Sequence, residues 1–467
     1  MITKIFDHKA KSINLAALIL GAASFISAVL GFFRDRLLAS RFGVGDELDV
    51  YYVSFRIPDF ISMVLIMGAI SAAIVPIFSQ YLSRSKKEAF DFLANLFNLF
   101  LLFLIIVIFV LIIFTPQLIS LIAPGFSGQK KELTVLLTRI MFLSPIFLGL
   151  SNIFSAILQI FQRFLITSLA PIIYNVGIIF GILFFVPKMG VVGLAWGVVL
   201  GAFLHFLLQA PIIFKLGFQL KKILNFKEPG FLQAIKLTIP RSIGLAAGQI
   251  NLIFITAVAS TLFSGSIAVF NLADSLSRPL LTFIGVSFST AAFPSLAMAF
   301  AARDKEKFNR IFSQTFFKTI YLILPLSFLL FLFRDLIIKI ILKVGKFSST
   351  DAQLTAACLA AFSLGIFAQA LILLLAKAFF AFHDTRTPAA ASILGMVFNI
   401  FFVIVFVKLF SFPNFFQKFF LFFFNISDLK NFEVVALPLA ISFSAIFQFL
   451  ILFLIFKRKK EIFFKKS

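Results

Sequence analysis

The sequence has little with which to do chemistry. Of its 467 residues one is cysteine, three are histidine and one is tryptophan. A single thiol, Cys358, excludes an intrachain disulfide and a cysteine-based metal cluster. The histidines, His8, His205 and His383, show no metal-ligand spacing. No GxxxxGK[ST] loop is present, so a nucleotide has no phosphate cradle. No nucleophile stands with a base in a supporting context, and an enzyme is not expected. No cofactor is expected either. Acids are scarce, 19 against 42 Lys and Arg, which leaves a net charge of +23. No cleavable leader is read at the start. Residues 1–12 are charged, but the apolar run after them is too long for a signal segment and lacks a small-residue cleavage site.

What is abundant is apolar length. The chain is 61% hydrophobic with a mean hydropathy of +1.08. An average soluble domain is roughly 45–50% apolar. The expectation is an all-α polytopic membrane protein, because a helix satisfies its own backbone inside the bilayer and spans it with about 20 apolar residues. The alternation of a membrane barrel is absent. The 71 Phe residues are spread through every apolar segment. They read as substitutes for Leu, not as an aromatic site. Twelve spans are expected, near 13–39, 48–82, 92–115, 134–161, 166–186, 191–214, 235–261, 267–301, 311–342, 353–381, 388–410 and 434–456. Lys and Arg concentrate in alternate connections, including Arg84–Lys87, Lys215–Lys236, Arg303–Arg310 and the end of the chain. The positive charge therefore reads as topology rather than as a nucleic-acid surface, and places both termini in the cytoplasm. The final KRKKEIFFKK suits either an anionic lipid surface or a simple stop-transfer flank.

The two halves resemble each other. Ser71–Pro76 is echoed by Ser289–Pro294, Pro58 by Pro279 and Arg56 by Arg278, at separations of about 220 residues. The basic segment 216–230 divides the chain. The expected organisation is two pseudo-symmetric six-helix bundles, 1–215 and 231–467, joined by a cytoplasmic linker. Six spans per copy make the repeats parallel, with a substrate site expected between them. Prolines 58, 76, 145, 240, 279 and 294 are expected to kink their helices.

Charge inside apolar helices is expensive, about 2.5–3.5 kcal/mol on insertion scales, so it marks a cavity or a partner. Five such groups, Arg34, Asp35, Asp49, Arg56 and Asp59, lie within Gly31–Pro76, and Arg139 follows. The second half has Arg241, Asp274, Arg278, Lys318, Lys377 and Asp384. Arginine grips phosphate with two parallel bonds and stays ionised in low dielectric, which suits a diphosphate cargo. The plainer reading is structural pairing, Arg34 with Asp35 and Arg278 with Asp274. Lys318 and Lys377 suit snorkelling equally well. Asp384, in HDTRTP, reads either as a helix cap or as a weak cation-site candidate. Without a nucleotide site, transport would draw on Na+, H+ or the membrane potential.

LGFFRDRLLASRFG at 30–43, Asp49, FRIP at Phe55–Pro58, GLAWGVVLGAFLHFLLQAP at Gly193–Pro211, PRSIGLAAGQINL at Pro240–Leu252 and FHDTRTP at Phe382–Pro388 together resemble the MurJ (MviN) family. These are lipid II flippases of the MOP exporter superfamily. The resemblance spans about residues 15–400 in the family's order. It implies a V-shaped, MATE-like pair of six-helix lobes around a cationic cavity. It also implies export of a polyprenyl-pyrophosphate-linked peptidoglycan precursor across the bacterial cytoplasmic membrane, with cell-wall synthesis proteins as partners. Arg34 and Asp49 match residues the family needs, and Asp35 shares the motif. The candidate substrate residues are Arg34, Asp35, Asp49, Arg56, Arg241, Asp274 and Arg278. Ala28, Ser62 and Ser275 stand where the family favours arginine. Two further spans that form a lipid-tail groove in the family do not follow the twelfth. These departures keep open another polyprenyl-pyrophosphate glycan as cargo, or a MATE-like exporter of drugs or cations.

Overall fold

The computed structural model describes residues 13–67, 74–424 and 431–466. Every described element is helical. Among the described residues nine helices are long and apolar enough to cross a membrane, from Lys86–Ile122 to Phe432–Glu461. They fall on nine of the twelve expected spans. The other three expected spans fall on the helix Ile13–Phe42, on the interrupted stretch Asp46–Arg84 and on the helix Pro229–Ser260. In the last of these only Leu245–Ser260 forms a short apolar helix.

The stretch from Asp46 to Arg84 is not one long helix. It breaks into Asp46–Ser54, Arg56–Phe60, a π-helical segment Ile61–Met67 and a further helix Val75–Arg84. Pro58 explains the break, since it removes a backbone donor and clashes with the preceding turn. The second half repeats the device: Pro279 lies just before the π-helical segment Leu281–Val286. A π-helical turn absorbs one extra residue and is common where a helix carries local strain. Residues Ser71–Ala73 of the first half's repeat motif lie outside the described residues.

The chain forms two compact units. One is built from the chain up to Leu38 and from Asp46–Ile253, the other from Ala39–Gly45 and from Phe254 onward. The expected boundary was the linker at 216–230, whereas the units change over at Ile253. The first part of Pro229–Ser260 explains this. Gly230 packs against Phe92 and Tyr81, and Ser242 donates to the Val64 carbonyl.

In the first unit Phe78, Phe97, Phe154 and Phe218 are buried together, with Phe97 and Phe154 stacked at 5.5 Å. Two helices approach much more closely elsewhere. Gly177 and Gly181 face Gly201 and Gly197, near enough that a Cβ on Gly177 or Gly181 would overlap the opposing backbone. Glycines four apart on both helices make this approach possible, the usual device of membrane helix pairs. A buried polar set joins the same region: Gln209 donates to Ser151 at 2.7 Å, and Ser151 lies 2.6 Å from His205 Nδ1.

The second unit is centred on Ser349–Ser363, which buries Cys358 completely. Its Ala39–Gly45 turn docks backbone to backbone. Lys346 donates to the Ser40 carbonyl at 2.9 Å, and a Cβ on Gly345 (φ +62°) would strike that carbonyl.

The linker after Leu216 is clamped to one face of Lys86–Ile122. Asn95 donates to the Asn225 carbonyl at 2.9 Å and to Glu228 at 2.6 Å, and accepts from the Asn225 amide at 2.7 Å. Asn98 binds the Lys221 and Ile223 carbonyls, and Asp91 pairs with Lys221. Residues 91, 95 and 98 share a face because helix neighbours recur every three to four positions. Burial raises the Glu228 carboxyl above its usual range, against hydrogen bonds from Asn95 and Tyr81 that lower it. With the folded value above the unfolded one, this group favours folding fully at low pH. That contribution fades as pH rises through the raised value. Glu228→Gln should therefore raise the thermal midpoint of detergent-solubilised protein by about 1–3 °C at pH 8 and leave it unchanged at pH 4. A loss at both pH values would overturn this account of the clamp.

Candidate substrate-binding site

The first unit gathers its buried charge around Arg34. The helix Ile13–Phe42 presents Ser27 and Arg34 seven residues apart, hence on one face. The helix Phe164–Phe180 brings Asn175 against them. Arg34 Nε and Nη2 donate to Asp35 Oδ1 at 3.1 and 2.9 Å, and Nη1 donates to Asn175 Oδ1 at 3.2 Å. Asn175 Nδ2 donates in turn to Ser27 Oγ at 3.2 Å. Asp35 is buried, whereas the Arg34 side chain keeps 26% of its surface exposed. A guanidinium has five N–H donors. Two of those on Arg34 have no acceptor among the described residues. The group is therefore held by Asp35 and Asn175 with two N–H donors to spare.

Tyr51, Tyr52 and Tyr174 lie within electrostatic reach of Arg34, as do Arg56 of Tyr52 and Asp59 of Tyr51 and Tyr174. Arg56 is buried. Asp49 is buried too, and Lys130 sits over it. The Lys130 ammonium bridges Asp49 at 3.1 Å and Asp46 at 2.6 Å, and lies 4.1 Å from the Phe126 ring centre. Arg34, Asp35, Arg56 and Asp59 thus form one constellation, while Asp49 is engaged by a lysine from a different helix.

The second unit's candidates are arranged differently. Arg278 and Asp274, one turn apart, form an ion pair at 2.5 Å, with Arg278 well exposed. This is the structural pairing that their spacing offered. The Arg241 side chain lies outside the described residues. Lys318 is exposed, and Lys377 lies 5.3 Å from the Phe293 ring centre. Asp384 caps the helix that follows: it accepts from the Thr387 amide at 3.0 Å and from the Thr387 hydroxyl at 2.6 Å, while Lys459 donates to it at 2.9 Å. Burial would raise the Asp384 carboxyl, but these bonds outweigh it and leave the group below its usual range. A lysine ammonium thus occupies the position a bound cation would take. Among the described residues no group of three or more His, Cys, Asp and Glu is placed to hold a metal.

The sequence profile of the family described as "Lipid II flippase MurJ" matches residues 38–467. The chain belongs to the MurJ family. A relative from Buchnera aphidicola (subspecies Schizaphis graminum), named "Probable lipid II flippase MurJ", is 32% identical over 381 residues, covering 80% of this chain and 74% of its own. The lipid II flippase MurJ of Burkholderia cenocepacia is 29% identical over 387 residues, covering 81% and 75%. Among solved structures, a MurJ in an inward closed conformation superposes with a TM-score of 0.78 at 27% identity, over 94% of this chain and 87% of its own. An inward-facing MATE transporter of the MOP superfamily superposes at 0.75 over 97% and 99%, and at 14% identity this likeness speaks to fold alone. The fold is the all-α membrane fold that MurJ shares with MATE transporters.

Sequence reasoning missed two partners of the MurJ motif residues: Asn175 for Arg34 and Lys130 for Asp49. It also missed the tyrosines, though a signal was there. The chain has five tyrosines and 71 phenylalanines, and three of the five converge on Arg34. Where Phe fills nearly every aromatic position, a hydroxyl is the exception to notice.

Proposed function

We propose that this chain flips lipid II from the cytoplasmic to the outer leaflet of the bacterial cytoplasmic membrane by alternating access. The observation that carries the reading is the match of residues 38–467 to the MurJ profile. The Arg34 arrangement supports it. A pyrophosphate needs a donor fork of fixed direction, and a guanidinium already anchored by Asp35 and Asn175 loses little freedom on binding. Arg34 engages the pyrophosphate, with Arg56, Arg241 and Arg278 as secondary cations. Arg278 must exchange Asp274 for the substrate to take part. Asp49, held by Lys130, serves as a gate. An ion gradient or the membrane potential supplies the energy. The distribution of basic loops favours cytoplasmic termini.

A second reading keeps the mechanism and changes the glycan. Ala28, Ser62 and Ser275 stand at positions where the family favours arginine, which favours a less demanding polyprenyl-pyrophosphate cargo. Expression in a bacterium depleted of its own lipid II flippase separates the two. Rescue with restored outer-leaflet lipid II is the expected result. An inserted, stable protein that restores neither growth nor outer-leaflet lipid II, while another lipid-linked glycan changes leaflet, would favour the second.

A further inference from the structure

A recess of about 410 Å³ opens between Lys86–Ile122 and Gly128–Met141, at the end of the first unit where the loop 123–127 joins them. Its apolar wall is Pro116, Val135 and Leu136, and its charged lining is Lys131, Glu132 and Arg139. Residues 131, 135 and 139 are four apart, so one face of the helix supplies both cations with an apolar residue between them. Lys131 and Glu132 have no side-chain hydrogen bond or ion pair among the described residues.

Arg139 is held in place by a defect in the neighbouring helix. Pro116 has no N–H, so the Ile112 carbonyl lacks its ordinary helical donor. Arg139 Nε supplies one at 3.2 Å, whereas the Thr115 hydroxyl, 3.1 Å from the same oxygen, lies closer to the Leu111 carbonyl at 2.7 Å. The Nη groups of Arg139 have no partner among the described residues. Ile113, Phe114 and Leu121 beside the recess are exposed, as a lipid-facing surface would be. Lys131, Glu132 and the Nη groups of Arg139 therefore border an apolar wall at a membrane-facing site, without protein partners among the described residues. Ionisable groups so placed ordinarily meet an interface or a ligand.

We propose that this recess binds a zwitterionic phospholipid whose headgroup joins a phosphodiester to a primary ammonium. The phosphate lies on Lys131 and Arg139, the ammonium meets Glu132, and the first carbons of an acyl chain run along Pro116, Val135 and Leu136. Two cations alone would suit any anion; Glu132 beside them disfavours a purely anionic headgroup and selects one that carries its own positive charge. The volume lies within the range of small-ligand sites.

The test is native mass spectrometry of the whole protein from mild detergent, titrated with phosphatidylethanolamine, phosphatidylglycerol and soluble glycerophosphoethanolamine. Wild type should retain phosphatidylethanolamine over phosphatidylglycerol by on the order of fivefold. Lys131→Gln should weaken binding of both lipids. Glu132→Gln should abolish the preference while phosphatidylglycerol binding is kept or increased. Neither side chain has a protein partner among the described residues, so both variants should fold. Equal retention of the two lipids by wild type, or an unchanged preference in Glu132→Gln, would overturn the proposal. Competition by glycerophosphoethanolamine at equal concentration would overturn it as well, by making a soluble phosphodiester the occupant.

Discussion

Arg34→Ala should abolish rescue of a flippase-depleted host, with the variant protein inserted at wild-type levels. Removing the guanidinium deletes the N–H groups proposed to engage the pyrophosphate and also leaves Asp35 buried without its cation. Breaking a partly buried pair in this way costs about 3–5 kcal/mol, so a folding control is essential. Arg34→Lys provides it. A lysine keeps the charge near Asp35 but is a point donor, unable to hold Asp35 and Asn175 while offering a fork to phosphate. It should therefore insert normally and still fail. Asn175→Ala should lower activity less, because it loosens the fork without removing it. Full rescue by Arg34→Ala would sink the assignment of Arg34 to the substrate. Rescue by Arg34→Lys alone would reduce its role to simple charge.

The second large effect is expected at Gly197. A Cβ there would come within 2.9 Å of the Gly181 backbone, and leucine adds three carbons more. Overpacking of this kind costs roughly 1–3 kcal/mol or more, against a total stability of about 5–15 kcal/mol. Gly197→Leu should give little monodisperse protein on detergent extraction. Gly21→Leu, at a position with nothing within 4 Å of a Cβ, should be extracted as wild type. Equal recovery of the two would refute the close helix pair. A milder change reaches the site. Gly201 lies against the backbone of Tyr174, next to Asn175, so Gly201→Ala should displace the residue that holds Arg34 and reduce transport before it reduces yield.

These two sites differ in how far the sequence disclosed them. Helices were legible from apolar length alone. So were the pairs Arg34–Asp35 and Arg278–Asp274, the first adjacent in sequence and within reach through the long arginine side chain, the second one helical turn apart. Asn175 and Lys130 were not legible, since they reach Arg34 and Asp49 across 141 and 81 residues. Which helix faces another is weakly encoded in a membrane protein, where lipid-facing and buried surfaces are both apolar. The glycines of GLAWGVVLG were visible within a motif of the MurJ family, but the purpose of Gly197 and Gly201 emerged only with the opposing Gly181 and Gly177. The division of the Asp46–Arg84 stretch was half legible: Pro58 announced a disturbance, and packing converted it into a π-helical segment.

Cys358 makes the chain convenient for spectroscopy. The thiol is fully buried in Ser349–Ser363, and it is the chain's one cysteine. Maleimide dyes and nitroxide labels react with accessible thiolates, so the native protein should be nearly silent toward them. New cysteines can then be introduced in pairs, one in each half, without first removing the natural one. Distances between the labels, followed as lipid-linked substrate is added, would report the opening and closing of the transporter in an otherwise unaltered chain.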